Sequence, residues 1–401
     1  MFNFFKKKEK ENINLYNKII FLENKLNEIN SIFRQIISNI GVIYYLSLRK
    51  KANKKEKEII KRAKFFLPNY KIRIIREYSL LPRHLRFPLL IDNNVDLSYL
   101  NKYHSLYYFN SYNVDFENNP FEGWEWFRLM SDLELDYVNE LIENGRRIFL
   151  QYVDFLFKRK NKNKVYIFGT GPSLDKAFNY DFSDGYTIAC NTIVKNKNLF
   201  NKIKPDFLVA TDAIFHFDNN LYANKFREDL KKRLKENKDF KFVFGNIFYP
   251  VAIRYFFDYK DRLIGISMKN NIDFNNDLIN NYFFPNQGNV LTMVLLPLAA
   301  TLSKNIFLFG FDGRKKEDKL FWKHAKSASY DNYIRDIIKK HPAFFNHQVP
   351  KNNEFKYINE NLADKLETFL KNLEEKGYHI VMMHKSYLEP LNKRYSKNFI
   401  T

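Results

Sequence analysis

Four apolar runs between residues 165 and 313 each stop on small or polar residues of the kinds that hold anions and move protons. Val165-Tyr166-Ile167-Phe168 stops on Gly169-Thr170-Gly171-Pro172-Ser173, and Thr187-Ile188-Ala189-Cys190 stops on Asn191. Phe207-Leu208-Val209-Ala210 stops on Thr211-Asp212, and Ile306-Phe307-Leu308-Phe309 on Gly310-Phe311-Asp312-Gly313. Glycines let a main chain close on a phosphate, and the unpaired N–H groups of a helix start donate to it. The first turn lacks the third glycine of a dinucleotide fingerprint and the Gly-Lys-Ser/Thr of a P-loop, so it points to an anion site without naming the ligand.

Such residues suit transfer of a group from a nucleotide to a hydroxyl. That reaction needs a phosphate cradle, a positive group for the leaving charge and a base for the acceptor proton. Gly169, Thr170, Gly171, Pro172, Ser173, Asn191 and Thr211 make the expected cradle. Gly288 and Asn289, ahead of the apolar stretch 290–302, face it from the other side. Arg314, just past Asp312-Gly313, offers charge and paired hydrogen bonds to a leaving phosphate. His324, His341 and His347 are the candidate bases, with His341 preferred because Pro342 fixes its backbone. Asp212 and Asp312 are expected beside the nucleotide. No carboxylate-x-carboxylate pair stands at a strand tip, so no metal and no cofactor beyond the donor is expected. Under an ATP-dependent alternative, the two aspartates would meet across the sheet edge and hold Mg²⁺.

Parallel strands with their carboxyl ends on one edge would gather these tips, so the chain is expected to be α/β and Rossmann-like, with a mostly parallel sheet flanked by helices. Three regions follow: a basic coiled-coil helix over 1–64, a helical, aromatic region over 65–160, and a Rossmann-like catalytic domain over 161–401. Leu15, Ile19, Leu22, Leu26, Ile29, Phe33, Ile36, Ile40 and Ile43 alternate steps of four and three, which predicts a coiled coil and a homo-oligomer. An amphipathic helix packed on its own domain is the alternative. The stretch 124–156 reads as a long helix, 251–285 as irregular, and Pro297 as a kink or break in the helix over 290–302.

The order Gly-x-Gly-Pro-Ser-Leu, Cys-Asn, a strand ending Thr-Asp, an amide-rich helix start and a strand ending Gly-x-Asp resembles the bacterial sialyltransferases of glycosyltransferase family 42. It also resembles the related motility-associated flagellin glycosyltransferases and the hydroxymethylpterin pyrophosphokinase-like group. The likeness covers roughly 165–387. It implies inverting transfer of a sialic-acid-like sugar from a CMP-linked donor to a cell-surface glycan, with the cradle residues and Asn289 as nucleotide contacts. Arg314 stands where those sialyltransferases have a tyrosine, and Thr170 where they usually have Asn. The resemblance places the base at His341 or His347 and gives His324 to phosphate.

Composition limits the alternatives. The chain has 401 residues, a net charge of +21 and one cysteine, Cys190, which excludes an intrachain disulfide and a cysteine metal cluster. It carries no run long enough to span a bilayer and no signal-peptide segment, so a cytoplasmic protein is expected. Residues 1–80 hold 14 Lys and 5 Arg against 7 Glu. Phe2, Phe4 and Phe5 beside Lys6, Lys7 and Lys8 suit an anchor on the anionic inner membrane, and equally a solvated basic tail. No zinc module or RNA-recognition signature is present, so nucleic acid is not the expected partner. A non-enzymatic basic scaffold is the remaining class, and the four polar tips argue against it.

Overall fold

The computed structural model describes residues 41–49, 53–81, 88–96, 98, 110–272, 274–286, 289–313, 323–348 and 362–396, together with 18, 22 and 25. Packing divides the chain into a smaller unit, residues 1–113 with 132–136, and a larger one, residues 114–131 with 137–401. Among the described residues no helix is long and apolar enough to cross a membrane.

In the smaller unit, β1 (Val42–Leu46) leads to α1 (Lys54–Phe66), β2 (Lys71–Ile75), β3 (Leu89–Ile91) and β4 (Ser111–Asn113). The strands form a parallel sheet ordered β2-β1-β3-β4. Asn53 caps α1 by accepting the Glu56 N–H at 2.9 Å, which holds the Glu56 carboxylate where Arg76 grips it with two hydrogen bonds of 2.5 and 2.8 Å. The end of the expected coiled coil is corrected here. Ile43 is a fully buried strand residue of β1, because a short β-branched and aromatic run fits a sheet as well as a helical seam. Of the rest of that seam, Leu22 is described, helical and exposed, and the other positions lie outside the described residues. The stretch read as helical and aromatic also carries β2, β3 and β4.

The larger unit opens on α2 (Glu122–Leu133) and α3 (Leu135–Lys160). Eight strands follow: β5 (Lys164–Phe168), β6 (Tyr186–Cys190), β7 (Phe207–Val209), β8 (Lys241–Gly245), β9 (Leu263–Lys269), β10 (Phe283–Pro285), β11 (Asn305–Phe309) and β12 (His379–Met382). Between and after them run α4 (Lys197–Ile203), α5 (Leu221–Glu236), α6 (Tyr249–Phe256), α7 (Leu296–Leu302), α8 (Asp331–Lys340), α9 (Pro342–Gln348), α10 (Leu362–Glu375) and α11 (Glu389–Asn392). Every pairing is parallel, in the order β10-β9-β8-β7-β6-β5-β11-β12. The chain starts in the middle at β5, steps outward to β10, then returns to lay β11 and β12 on the other side of β5. The reversal between β5 and β11 opens a crevice at their carboxyl ends, where open α/β sheets bind ligands.

Burial on both faces explains why the central strands are continuous apolar runs. Val165, Ile167, Ile188, Val209, Ile306 and Leu308 join a core completed by Phe149 and Leu156 of α3, Leu296 and Leu298 of α7, and Phe369 and Leu370 of α10. One local expectation needs adjusting. The span 251–285, read as irregular, contains most of α6 and all of β9 and β10. Pro297 stands where the helix changes winding, a π turn over Leu291–Leu295 giving way to α7 with Pro297 in its first turn.

Candidate functional site

The tips of β5 and β11 are zipped together. Gly169 N–H donates to Phe309 O and Gly171 N–H to Gly310 O, both at 2.7 Å. Gly310 has φ of +77°, and a Cβ there would lie 2.4 Å from Gly169 O. At Gly171 a Cβ would lie 2.3 Å from Asp312 Oδ2. The Asp312 carboxylate accepts the Ser173 N–H at 3.1 Å and its hydroxyl at 2.9 Å, so it caps the 3₁₀ helix over Pro172–Asn179. Burial raises the Asp312 pKa, and the Ser173 donors oppose that. The expected phosphate cradle is therefore revised. The N–H groups of Gly169, Gly171 and Ser173 are engaged within the protein, and Pro172 has none, so the turn gives shape more than donors.

The next two tips carry the reactive groups. Asn191 has φ of 51°, and its buried Oδ1 has no hydrogen-bond partner among the described residues. Asp212 Oδ1 accepts the N–H groups of Ile214 at 3.0 Å and Phe215 at 3.2 Å, capping a π turn over Ala213–Phe217. Burial pushes the Asp212 carboxyl up to about 6, against the pull of those two N–H groups and of His341. His216 Nδ1 lies 3.2 Å from both the main-chain N and the main-chain O of Asp212. His324 Nδ1 lies 2.8 Å from Thr170 Oγ1. Burial lowers the pKa of His216 to about 3 and of His324 to about 4, so both are neutral donors and acceptors at physiological pH. Asn289 Oδ1 caps the second π turn, accepting from Leu291 at 2.8 Å and Thr292 at 3.1 Å.

These tips line one cleft of about 650 Å³, a volume suited to a nucleotide-sized ligand. Its polar side is Thr170, Asn191, Asp212, Asp312, His324 and Asn289, and its apolar side includes Phe121, Trp124, Phe215, Tyr222 and Phe344. Residues 139–318 match the family model of 6-hydroxymethylpterin diphosphokinase MptE-like proteins. This MptE-like segment runs from α3 past β11 and so carries the tips of β5, β6, β7 and β11. Neither the curated proteins nor the solved structures gave a match. The match supports the pyrophosphokinase-like superfamily named from the motifs, a transferase-type group, and it does not reach the sialyltransferase family.

Within and beside the MptE-like segment, most of the sequence-picked residues meet. Gly169, Thr170, Gly171, Asn191, Thr211, Asp212, Asn289, Asp312 and His324 all line the cleft. Pro172 and Ser173 stand behind it, on the far side of the Asp312 cap. Gly288 and Arg314 lie outside the described residues. Of the three candidate bases only His324 lines the cleft, and His341 and His347, which the resemblance favours, do not. His341 is buried at the junction of α8 and α9, its ring held between Glu122 and Asp218. His347 is exposed on α9, edge-on to Phe121 at 5.7 Å. Pro342 does start a new helix at this point, but the junction turns His341 inward. His216 was not among the expected residues, although it follows Asp212 by one turn at a strand tip. Among the described residues no group of three or more His, Cys, Asp and Glu side chains is arranged to hold a metal ion.

The two lowered imidazoles of the cleft, with His384, lowered to about 4 by burial, adding in the same direction, make an acid-sensitive fold. Both fall from an ordinary 6.5, so the unfolded chain binds protons that the folded chain refuses. Their contribution is complete above pH 6.5 and is lost as pH falls. Asp212, raised from 3.8 to about 6, works the other way, and one raised carboxylate offsets only part of two lowered imidazoles. Unfolding free energy should drop by roughly 4 kcal/mol between pH 6.5 and pH 4. Urea midpoints over that range check it; a flat profile would contradict the burial of these histidines.

Proposed function

We propose that the cleft binds a nucleotide-linked sugar and transfers the sugar to an acceptor hydroxyl. Asp212 takes the acceptor proton, the freed oxygen attacks the anomeric carbon, and the bond to the nucleotide phosphate breaks. The leaving phosphate carries the negative charge away toward Thr170, His324 and Lys323 at the cleft wall. Arg314 follows Gly313 in sequence and is a further candidate for that charge. The observation that carries this reading is the meeting of four strand tips in one cleft around the Asp212 carboxylate, which burial pushes up to about 6. One base and one leaving group imply inversion. The resemblance in motif order favours a CMP-linked, sialic-acid-like donor and a surface-glycan acceptor. On this reading the protein works in the cytoplasm, with its basic N-terminal segment toward the inner membrane and residues 15–40 joining copies of the chain.

The family match supports a second reading, diphosphoryl transfer from ATP with Mg²⁺. Asp212 and Asp312 both line the cleft. Asp312, however, has both oxygens on Ser173, and Asp212 has one on the main chain. That is a poor start for a metal site, and no step is assigned to Mg²⁺.

A thermal-shift series with CMP, UDP, GDP and ATP, with and without Mg²⁺, separates the readings. A ligand at a hundred times its Kd adds about 2.7 kcal/mol to stability. The account predicts that a nucleoside mono- or diphosphate raises Tm without Mg²⁺, and that its sugar conjugate releases it when acceptor is present. Strictly Mg²⁺-dependent AMP release would favour the second reading, and no shift with any nucleotide would reject both.

A further inference from the structure

One of the buried histidines outside the cleft, His341, has a distinctive setting. His341 Nδ1 lies 3.2 Å from Glu122 Oε2 and Nε2 lies 2.5 Å from Asp218 Oδ2. The side chains of all three are at most 4% exposed. A neutral imidazole has one N–H, so it would turn a bare nitrogen lone pair toward one of the two carboxylates. An imidazolium places a positive charge within ion-pair reach of both, although its Nε2 is not aligned for a hydrogen bond to Asp218. Each carboxylate is fixed from behind. Glu122 Oε1 accepts the Trp126 indole N–H at 2.6 Å, and Asp218 Oδ1 accepts the Asn219 N–H at 2.5 Å. Arg227 of α5 holds the same loop through the main-chain oxygens of His216 at 3.0 Å and Asp218 at 2.9 Å.

The three clasped residues sit on three separate segments, and each carries part of the cleft wall. Glu122 lies between Phe121 and Trp124, Asp218 follows Phe215 and His216, and His341 precedes Phe344. The rings meet: Phe121 to Trp124 at 6.2 Å, Trp124 to Phe344 at 5.8 Å and Phe215 to Phe344 at 6.1 Å between centroids. We propose that His341 is a positioning residue, held as an imidazolium between Glu122 and Asp218, which draws these segments into one aromatic wall and keeps a positive charge behind Asp212. The charged groups around it are Glu122 of α2, Asp218 after the first π turn, Asp212 at the tip of β7 and Arg227 of α5. Lys340, its neighbour in sequence, points to Asn219 O. The effect on catalysis rests on the role given above to Asp212; the clasp itself rests on geometry alone.

Histidine-labelled and aspartate-labelled NMR on the full chain tests this without an activity assay. The wild-type His341 signal, assigned by its loss in His341→Gln, should show both ring nitrogens protonated at pH 7 and above pH 8. In His341→Gln, Asp212 should titrate about one pH unit higher than in wild type. In Glu122→Gln, His341 should lose its proton at lower pH than in wild type, since one anionic partner is gone. A neutral His341 at pH 7, or an unmoved Asp212 in His341→Gln, would overturn the proposal. Should His341→Gln not fold, an identical His341 titration in wild type and Glu122→Gln overturns it by itself. Absence of transferase activity counts against the function proposed above and leaves these titrations readable.

Discussion

Asp212→Asn is expected to slow transfer by roughly 10²- to 10⁴-fold while nucleotide affinity changes by no more than a few-fold. Asparagine keeps an Oδ1 to accept from Ile214 and Phe215, so the π turn and the wall it carries should survive. What disappears is a proton acceptor matched to neutral pH. The other titrating groups of the cleft are poorer bases. His216 and His324, near 3 and 4, are neutral throughout the working range and hold a proton weakly. The wild-type rate should therefore climb about tenfold per pH unit in acid and level off above about 6, and the variant should lose that limb. A variant with most of its rate and an unchanged limb would remove Asp212 from the chemistry.

Gly310→Ala has the largest expected effect on the fold of the site. A left-handed φ of +77° alone costs an alanine about 1–2 kcal/mol. Here the added Cβ also meets Gly169 O at 2.4 Å, which is main chain and cannot swing aside. The tips of β5 and β11 would have to separate, breaking the hydrogen bonds between Gly169, Gly171, Phe309 and Gly310. Gly377→Ala is the matched control. Its φ is +79°, but the nearest foreign atom is the flexible Lys304 Nζ at 3.8 Å. Urea unfolding should place Gly310→Ala several kcal/mol below wild type and Gly377→Ala only about 1–2 kcal/mol below it. Calorimetry should find nucleotide binding lost in the first and kept in the second. Equal behaviour of the two would mean that the close approach at Gly310 is not needed.

The strand tips were readable because each is local: an apolar run buried on both faces, then a residue that cannot continue it. Val165 to Phe168 followed by Gly169, and Phe207 to Val209 followed by Thr211 and Asp212, need no knowledge of the rest of the chain. Their convergence also followed, since a parallel sheet puts all carboxyl ends on one edge. What stayed hidden depends on partners remote in sequence. Nothing near Gly171 says that the carboxylate of Asp312 will occupy the start of its helix. Nothing near His341 announces Glu122 and Asp218, so its type and its proline suggested a base where the fold made a clasp. The run Val42 to Leu46 misled for another reason. A short apolar segment satisfies a helical seam and a buried strand alike, and only sheet partners decide between them.

Hydrogen exchange of the main-chain amides, with and without the nucleotide that gives the largest thermal shift, tests most directly whether the crevice between β5 and β11 is the ligand site. The account predicts slowed exchange at Thr170, Asn191, Thr211 to Phe215, Asn289 to Met293 and Gly310 to Gly313, with the sheet edge at β10 and the helices behind the sheet unchanged. Protection confined to other surfaces, or none at saturating nucleotide, would contradict it.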